Sequence, residues 1–122
     1  MLIQGASGRG KSGLALEMMA RGAQLVADDG VVVRVTRQGL RLSCAPNLNG
    51  MIEARGLGLL GAIHRADAQL AAVLDLDQVE SQRLPPFRET EILGQKIPLL
   101  HFFDAPYFPA GLVQYLKGGR RE

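Results

Sequence analysis

The sequence predicts an α/β fold built on a mixed sheet, with antiparallel hairpins attached to a parallel core. Three observations predict it. The chain opens on an apolar strand-like run, Met1-Leu2-Ile3, followed at once by a glycine-rich loop and a helix-like pattern. A second short apolar run, Gln24-Leu25-Val26-Ala27, follows at the spacing of a βαβ crossover. Two later stretches, Val31 to Cys44 and Thr90 to Phe103, each hold two strand-like arms around a glycine-containing turn.

Bulk properties narrow the class. A chain of 122 residues and 13.1 kDa is expected to form a single domain, residues 1–122, around one core. With 47% apolar residues it has enough to bury, which argues against disorder. The net charge of +2 is mild, and basic residues gather only in the tail, at Lys117, Arg120 and Arg121. That reads as a solvated end, so no nucleic-acid partner is expected. No apolar run reaches the roughly 18 residues that span a bilayer, so no membrane partner is expected either. The strand-like run at the start leaves no room for a signal peptide. The single cysteine, Cys44, excludes an internal disulfide and suits a reducing compartment; it is expected to be a small buried hydrophobe.

The loop after the first strand, Gly5-Ala6-Ser7-Gly8-Arg9-Gly10-Lys11-Ser12, fits G-x-x-x-x-G-K-[ST] at every fixed position. Its glycines let backbone N–H groups turn inward around a phosphate, and the following helix presents its positive end to the same anion. Lys11 is expected to reach the outer phosphates and the Ser12 hydroxyl to ligate Mg²⁺. Leu14, Leu16, Met18 and Met19 continue as a helix from Lys11 to about Arg21, stopped at Gly22. All six aromatic residues lie after Pro86, so nucleotide recognition is expected through phosphates and metal, with loose base selectivity.

The run Gln24–Ala27 ends in Asp28-Asp29-Gly30. As a parallel strand it would deliver the two aspartates beside the phosphate loop, at the edge where ligands of open α/β sheets bind. Neighbours on a strand point to opposite faces, so one aspartate faces the phosphates and the other orients it or meets the metal shell. A solvated turn is the alternative that the composition also suits. Next, Val31–Thr36 and Leu40–Cys44 flank Arg37-Gln38-Gly39 as a hairpin. In Gly50-Met51-Ile52-Glu53-Ala54-Arg55-Gly56-Leu57-Gly58, Glu53 and Arg55 share one face if the chain is extended. Glu53 could then complete the metal shell and Arg55 bind a phosphate, or the two could form an ordinary ion pair. Ala71-Ala72-Val73-Leu74 reads as a buried strand, and Asp75-Leu76-Asp77 as its wet end. Thr90–Leu93 and Ile97–Phe103, joined at Gly94-Gln95-Lys96, form a second hairpin, and Ala110–Lys117 a short final helix. His64 and His101 lack partners at metal-ligand spacing and read as structural.

Taken together, the phosphate loop, Leu25-Val26-Ala27-Asp28-Asp29 and Ile52-Glu53-Ala54-Arg55-Gly56-Leu57-Gly58 resemble the catalytic domain of the HPr kinase/phosphorylase family. Weaker likeness continues through Gln82-Arg83-Leu84-Pro85 and Ile92-Leu93-Gly94. The resemblance implies a P-loop domain related to that of phosphoenolpyruvate carboxykinase. It implies an ATP- and Mg²⁺-dependent, cytoplasmic serine kinase acting on HPr, the small carrier protein of the sugar phosphotransferase system. It also implies a homo-oligomer, commonly a hexamer. By the same resemblance Asp29 is the base, Lys11 stabilises the transferring phosphoryl group, Ser12 and Glu53 hold the metal, and Asp28 and Arg55 complete the catalytic set. The family's extra N-terminal domain and the histidine before its phosphate-loop strand are not in this sequence, so either its start is truncated or the histidine's role is vacant. Nor is its arginine near the C-terminus, since Pro98 to Gly119 holds none, which leaves the reverse, phosphorylase reaction in question. A P-loop kinase for a small metabolite and a nucleotide-binding regulatory module are the alternatives.

Overall fold

The computed structural model describes residues 1–122. In chain order the elements are β1 (Leu2–Gln4), α1 (Lys11–Met19), β2 (Val31–Thr36), β3 (Gly39–Cys44), β4 (Met51–Ala54) and β5 (Gly58–Gly61). They continue with β6 (Asp67–Gln69), β7 (Val73–Val79), β8 (Arg88–Ile92), β9 (Gln95–Phe102) and α2 (Phe108–Gly118). The chain forms two compact units, one of Met1–Lys11 with Ala71–Glu122, the other of Ser12–Leu70.

The first unit is built on a four-stranded sheet of order β1-β7-β9-β8. β1 runs parallel to β7 and β7 parallel to β9, while β8 turns back antiparallel, so the sheet is mixed as expected. Ala72, Val73 and Leu74 are fully buried, which is why an unbroken apolar run, and not an alternating one, marks this strand. The β8–β9 hairpin turns on Leu93 (φ 49°) and Gly94 (φ 79°). Two successive left-handed residues match the twist of the arms, so the reversal comes one residue earlier than Gly94-Gln95-Lys96 predicts. In α2, which begins at Phe108 and not Ala110, Pro109 sits in the first turn, where its missing N–H costs nothing.

The second unit holds a three-stranded antiparallel sheet of order β2-β3-β6 and a separate β4–β5 hairpin. Alternation decides β3: Leu40 and Leu42 are buried while Arg41 and Ser43 are partly exposed. β2, as an edge, leaves Val31, Val32 and Val35 exposed. Cys44, at the end of β3, is half-buried and unpaired. β6 is an element that the sequence analysis does not anticipate; Arg41 on β3 bridges Asp67 on β6 at 2.8 Å.

Two local expectations are corrected. Helix α1 ends at Met19, two residues short of Arg21. The turn then tightens, with Arg21 N–H donating to the Met18 carbonyl and Gly22 (φ 101°) N–H to that of Met19. The second correction is larger. Gln24–Ala27 is not a strand, and β1 takes its only neighbour from β7, so the βαβ crossover does not form. Leu25 makes a single parallel bridge to His64, donating to the Ile63 carbonyl and accepting from Arg65 N–H, and buries its side chain. Three consecutive apolar residues, Leu25, Val26 and Ala27, suit a one-point anchor as well as a strand, and periodicity cannot separate the two.

Candidate functional site

The phosphate loop leaves β1 at Gly5 and enters α1 at Lys11. Its shape requires glycine at Gly8 (φ 85°) and Gly10 (φ 90°), positions that a Cβ would strain. Inside the loop Arg9 N–H donates to the Ala6 carbonyl at 3.2 Å. The Lys11 ammonium folds back to donate to the Gly5 carbonyl and, at 3.4 Å, to that of Ala6. From β7, Asp77 reaches the same loop. Both of its oxygens accept from Ala6 N–H, at 3.2 and 3.0 Å, and Oδ1 pairs with Arg9 Nε at 3.0 Å. Asp77 is the participant that sequence reasoning missed. Asp75-Leu76-Asp77 looked like a wet strand end, and only the pairing of β1 with β7 brings it to the loop.

In the second unit, Ser12 in the first turn of α1 donates its hydroxyl to Asp28 Oδ1 at 2.6 Å. The other oxygen, Oδ2, accepts from Glu53 N–H at 3.0 Å. One half-buried carboxylate therefore ties the start of α1 to β4. Asp28 arrives without the parallel strand that was expected to carry it; the Leu25 anchor and the turn at Gly30 (φ 66°) replace that strand. Asp29 points elsewhere: it is exposed, and its carboxylate accepts only from the Gly30 N–H beside it, at 3.0 Å. Asp28 and Asp29 lie in a bend and not on a strand, so strand alternation does not set their different partners.

Glu53 and Arg55 do not share a strand face. β4 stops at Ala54, which pairs with Gly58 of β5, and Arg55-Gly56-Leu57 forms the connecting turn, closed by Leu57 N–H donating to the Ala54 carbonyl. Gly56 (φ 87°) makes that turn accessible. Both charged side chains are exposed and no ion pair joins them. The Glu-x-Arg-Gly-x-Gly run is thus a hairpin tip.

The donor set fits magnesium. No three His, Cys, Asp or Glu side chains converge anywhere in the chain, so an all-protein cage of the calcium or zinc kind has no ligands here. A hydroxyl and a carboxylate oxygen 2.6 Å apart, with the Glu53 backbone held to the same carboxylate, suit an ion that takes one or two protein oxygens and completes its shell with phosphate and water.

Elsewhere in the first unit, Glu80 is almost fully buried. Its carboxylate accepts from Arg88 Nη2 at 3.1 and 3.0 Å, from Arg88 Nε at 3.3 Å, and from the N–H groups of Ser81 and Gln82. The Arg88 hydrogen bond holds Glu80 below the ordinary glutamate range, against the opposing effect of burial.

Comparison with known proteins identifies the family and the fold. The family model of the HPr serine kinase C-terminal domain matches residues 1–83. An HPr kinase/phosphorylase of Exiguobacterium sibiricum is 48% identical over 114 residues, covering 82% of this chain and 36% of that protein. One from Chlorobium phaeovibrioides is 34% identical over 125 aligned residues, covering 89% and 36% respectively. The chain thus spans little more than a third of the length of these relatives. The solved structure of the HPr(Ser) kinase/phosphatase from Coxiella burnetii superposes with a TM-score of 0.79 at 25% identity, over 94% of this chain and 79% of that one.

Proposed function

We propose that this chain, which belongs to the HPr serine kinase C-terminal domain family, is the catalytic domain of an ATP- and Mg²⁺-dependent kinase that phosphorylates a serine of an HPr-like carrier protein. The observation that carries the reading is the Asp28 carboxylate shared between the Ser12 hydroxyl and Glu53 N–H. It joins a phosphate-loop serine, the first aspartate of the pair and the backbone of the glutamate signature, which a phosphate-gripping turn alone would not require.

Each residue has a task in that reading. The backbone of Gly5, Ala6, Ser7, Gly8, Arg9 and Gly10 surrounds the phosphates. Lys11 leaves its resting carbonyl partners to neutralise the transferring group. Ser12 and Glu53 would hold Mg²⁺, with Asp28 orienting the Ser12 hydroxyl. When bound, Mg²⁺ supplies charge neutralisation on the phosphate oxygens. Asp29 takes the proton from the incoming serine hydroxyl. A base that serves a hydroxyl delivered by another protein must be reachable from solvent, and Asp29 is exposed while Asp28 is engaged. Arg55, exposed at the hairpin tip, is suited to meet phosphate or the partner. Cytoplasmic residence and assembly as a homo-oligomer, a hexamer by family likeness, belong to the same proposal. No helix is long and apolar enough to cross a membrane.

The test is transfer of labelled phosphate from ATP to a serine of purified HPr. The wild type labels HPr only with Mg²⁺, Lys11→Ala abolishes labelling, and Asp29→Asn lowers it roughly 10²- to 10⁴-fold, the range expected for loss of a general base. Nucleotide binding without label on HPr, or label passed only to small metabolites, would overturn the assignment.

A further inference from the structure

The first unit contains a contact that the kinase reading does not use. Asp77 accepts twice from Ala6 N–H and pairs with Arg9 Nε, joining the first peptide of the phosphate loop to its crown. We propose that Asp77 is a positioning residue for the phosphate loop, acting through Ala6 and Arg9 to keep the loop in its nucleotide-receiving shape.

Geometry and composition support the assignment. The loop is rich in glycine and would be floppy by itself; a Cβ added at Gly8 or Gly10 would point into open space, with nothing within 4 Å. Its internal backbone support is one long hydrogen bond, Arg9 N–H to Ala6 O. β1 is only three residues long and pairs with β7 alone, in a register that sets Gln4 beside Asp75. Asp77, two residues further along β7, is therefore carried past the end of β1 to the place where the loop departs. At that point the two strands pack closely: a Cβ on Gly5 would lie 3.1 Å from Leu76 Cβ and 3.4 Å from Arg9 Cβ. The stem of Arg9 thus lies close to Gly5, and Asp77 holds both Ala6 N–H and the Arg9 guanidinium.

The charge sign makes the contact informative. A carboxylate beside a phosphate site costs binding unless a cation neutralises it, and Arg9 is the cation that does so. Asp77 and Arg9 are both well exposed, so their ion pair taken singly is weak. The larger part comes from holding Ala6 N–H, which a neutral amide can still do through its oxygen. Neither group touches the transferring phosphoryl in this reading. Loss of the contact should therefore weaken nucleotide binding uniformly and spare turnover.

This inference rests on Gly5–Ser12 being a phosphate loop, and the experiment separates the two. Nucleotide affinity is measured for wild type, Asp77→Asn, Asp77→Ala, Arg9→Gln and Arg9→Gln/Asp77→Asn, with kcat and KM for ATP and hydrogen exchange at the Ala6 amide. Asp77→Ala is expected to raise KM and Kd about tenfold with kcat within about twofold, as for loss of one or two hydrogen bonds and an exposed ion pair. Asp77→Asn is expected to lose about threefold, and none when Arg9 is already glutamine, with Ala6 exchange accelerated only by Asp77→Ala. Equal affinity in wild type and Asp77→Ala, or a loss confined to kcat, overturns the positioning role and leaves the phosphate loop intact. A wild type that binds no nucleotide while its Ala6 amide stays protected overturns the phosphate-loop reading, and this inference with it.

Discussion

Asp28 uses its two oxygens on two different elements, and that makes it the residue whose replacement is most diagnostic. Asp28→Ala strands the Ser12 hydroxyl and the Glu53 N–H together; urea unfolding should show a loss of about 1–3 kcal/mol, the cost of unmade hydrogen bonds at partly buried groups. Asp28→Asn should recover part of it by accepting from Glu53. The glycine beside the pair is equally constrained. Gly30 has φ 66°, and a Cβ there would lie 2.8 Å from Leu48 Cδ1 and 3.0 Å from Ala45 Cβ. Gly30→Ala should cost roughly 1–2 kcal/mol for the left-handed backbone alone. An unchanged urea midpoint would contradict the turn geometry. At this scale the sequence was informative about type and silent about direction. Asp-Asp-Gly announced a turn with two acids, but which carboxylate reaches Ser12 depends on backbone torsions that residue identity does not encode.

Among the elements, legibility followed the strength of the local pattern. β2–β3 and β8–β9 were readable because alternation and a glycine turn agree, and α1 because the motif fixes its start. Gln24–Ala27 failed as a strand because a run of three apolar residues carries no period. The hairpin of β4 and β5 was hidden because its turn residues, Arg55-Gly56-Leu57, sit inside a run whose charges suggested a continuous face. Asp77 was hidden for a different reason: Ala6 lies 71 residues away, and only the pairing of β7 with β1 joins them. A testable consequence at this scale concerns Glu80, just after β7, and Arg88 on β8. Since Glu80 is held below its ordinary value of 4.5 in the folded state, its ionised form contributes stability above that pH. The contribution is lost as pH falls through the lower, folded value. Thermal midpoints of wild type and Glu80→Gln should therefore differ at pH 7 and converge below about pH 4.5. A gap that stays constant with pH would contradict this.

For the whole molecule, the division of the chain carries a consequence. The first unit takes its strands from both ends of the sequence, while the second is continuous from Ser12 to Leu70. A fragment ending before Val73 would leave β1 without its only strand partner, and such a fragment should not bind nucleotide. The proposed self-association can be tested at the exposed apolar residues. Leu57 and Leu59, at and just after the β4–β5 turn, are 77% and 70% exposed, and Ile63 is 80% exposed. Leu57 and Leu59 share the hairpin tip, while Ile63 lies beyond the other end of β5, and a contiguous apolar patch is ordinarily covered by a partner. Light scattering should give a mass well above the 13.1 kDa of one chain, and Leu57→Asp with Leu59→Asp should shift it toward the monomer. A monomeric wild type would remove the oligomer from the proposal.

In the proposed function, Ser12, oriented by Asp28, begins a magnesium site for a bound nucleotide. Calorimetric titration with a non-hydrolysable ATP analogue, with and without Mg²⁺, tests it most directly in wild type and Ser12→Ala. Mg²⁺ should tighten wild-type binding by roughly tenfold, about 1.4 kcal/mol, and leave Ser12→Ala nearly unaffected. Equal wild-type affinity with and without Mg²⁺, or a full Mg²⁺ effect in Ser12→Ala, would contradict it.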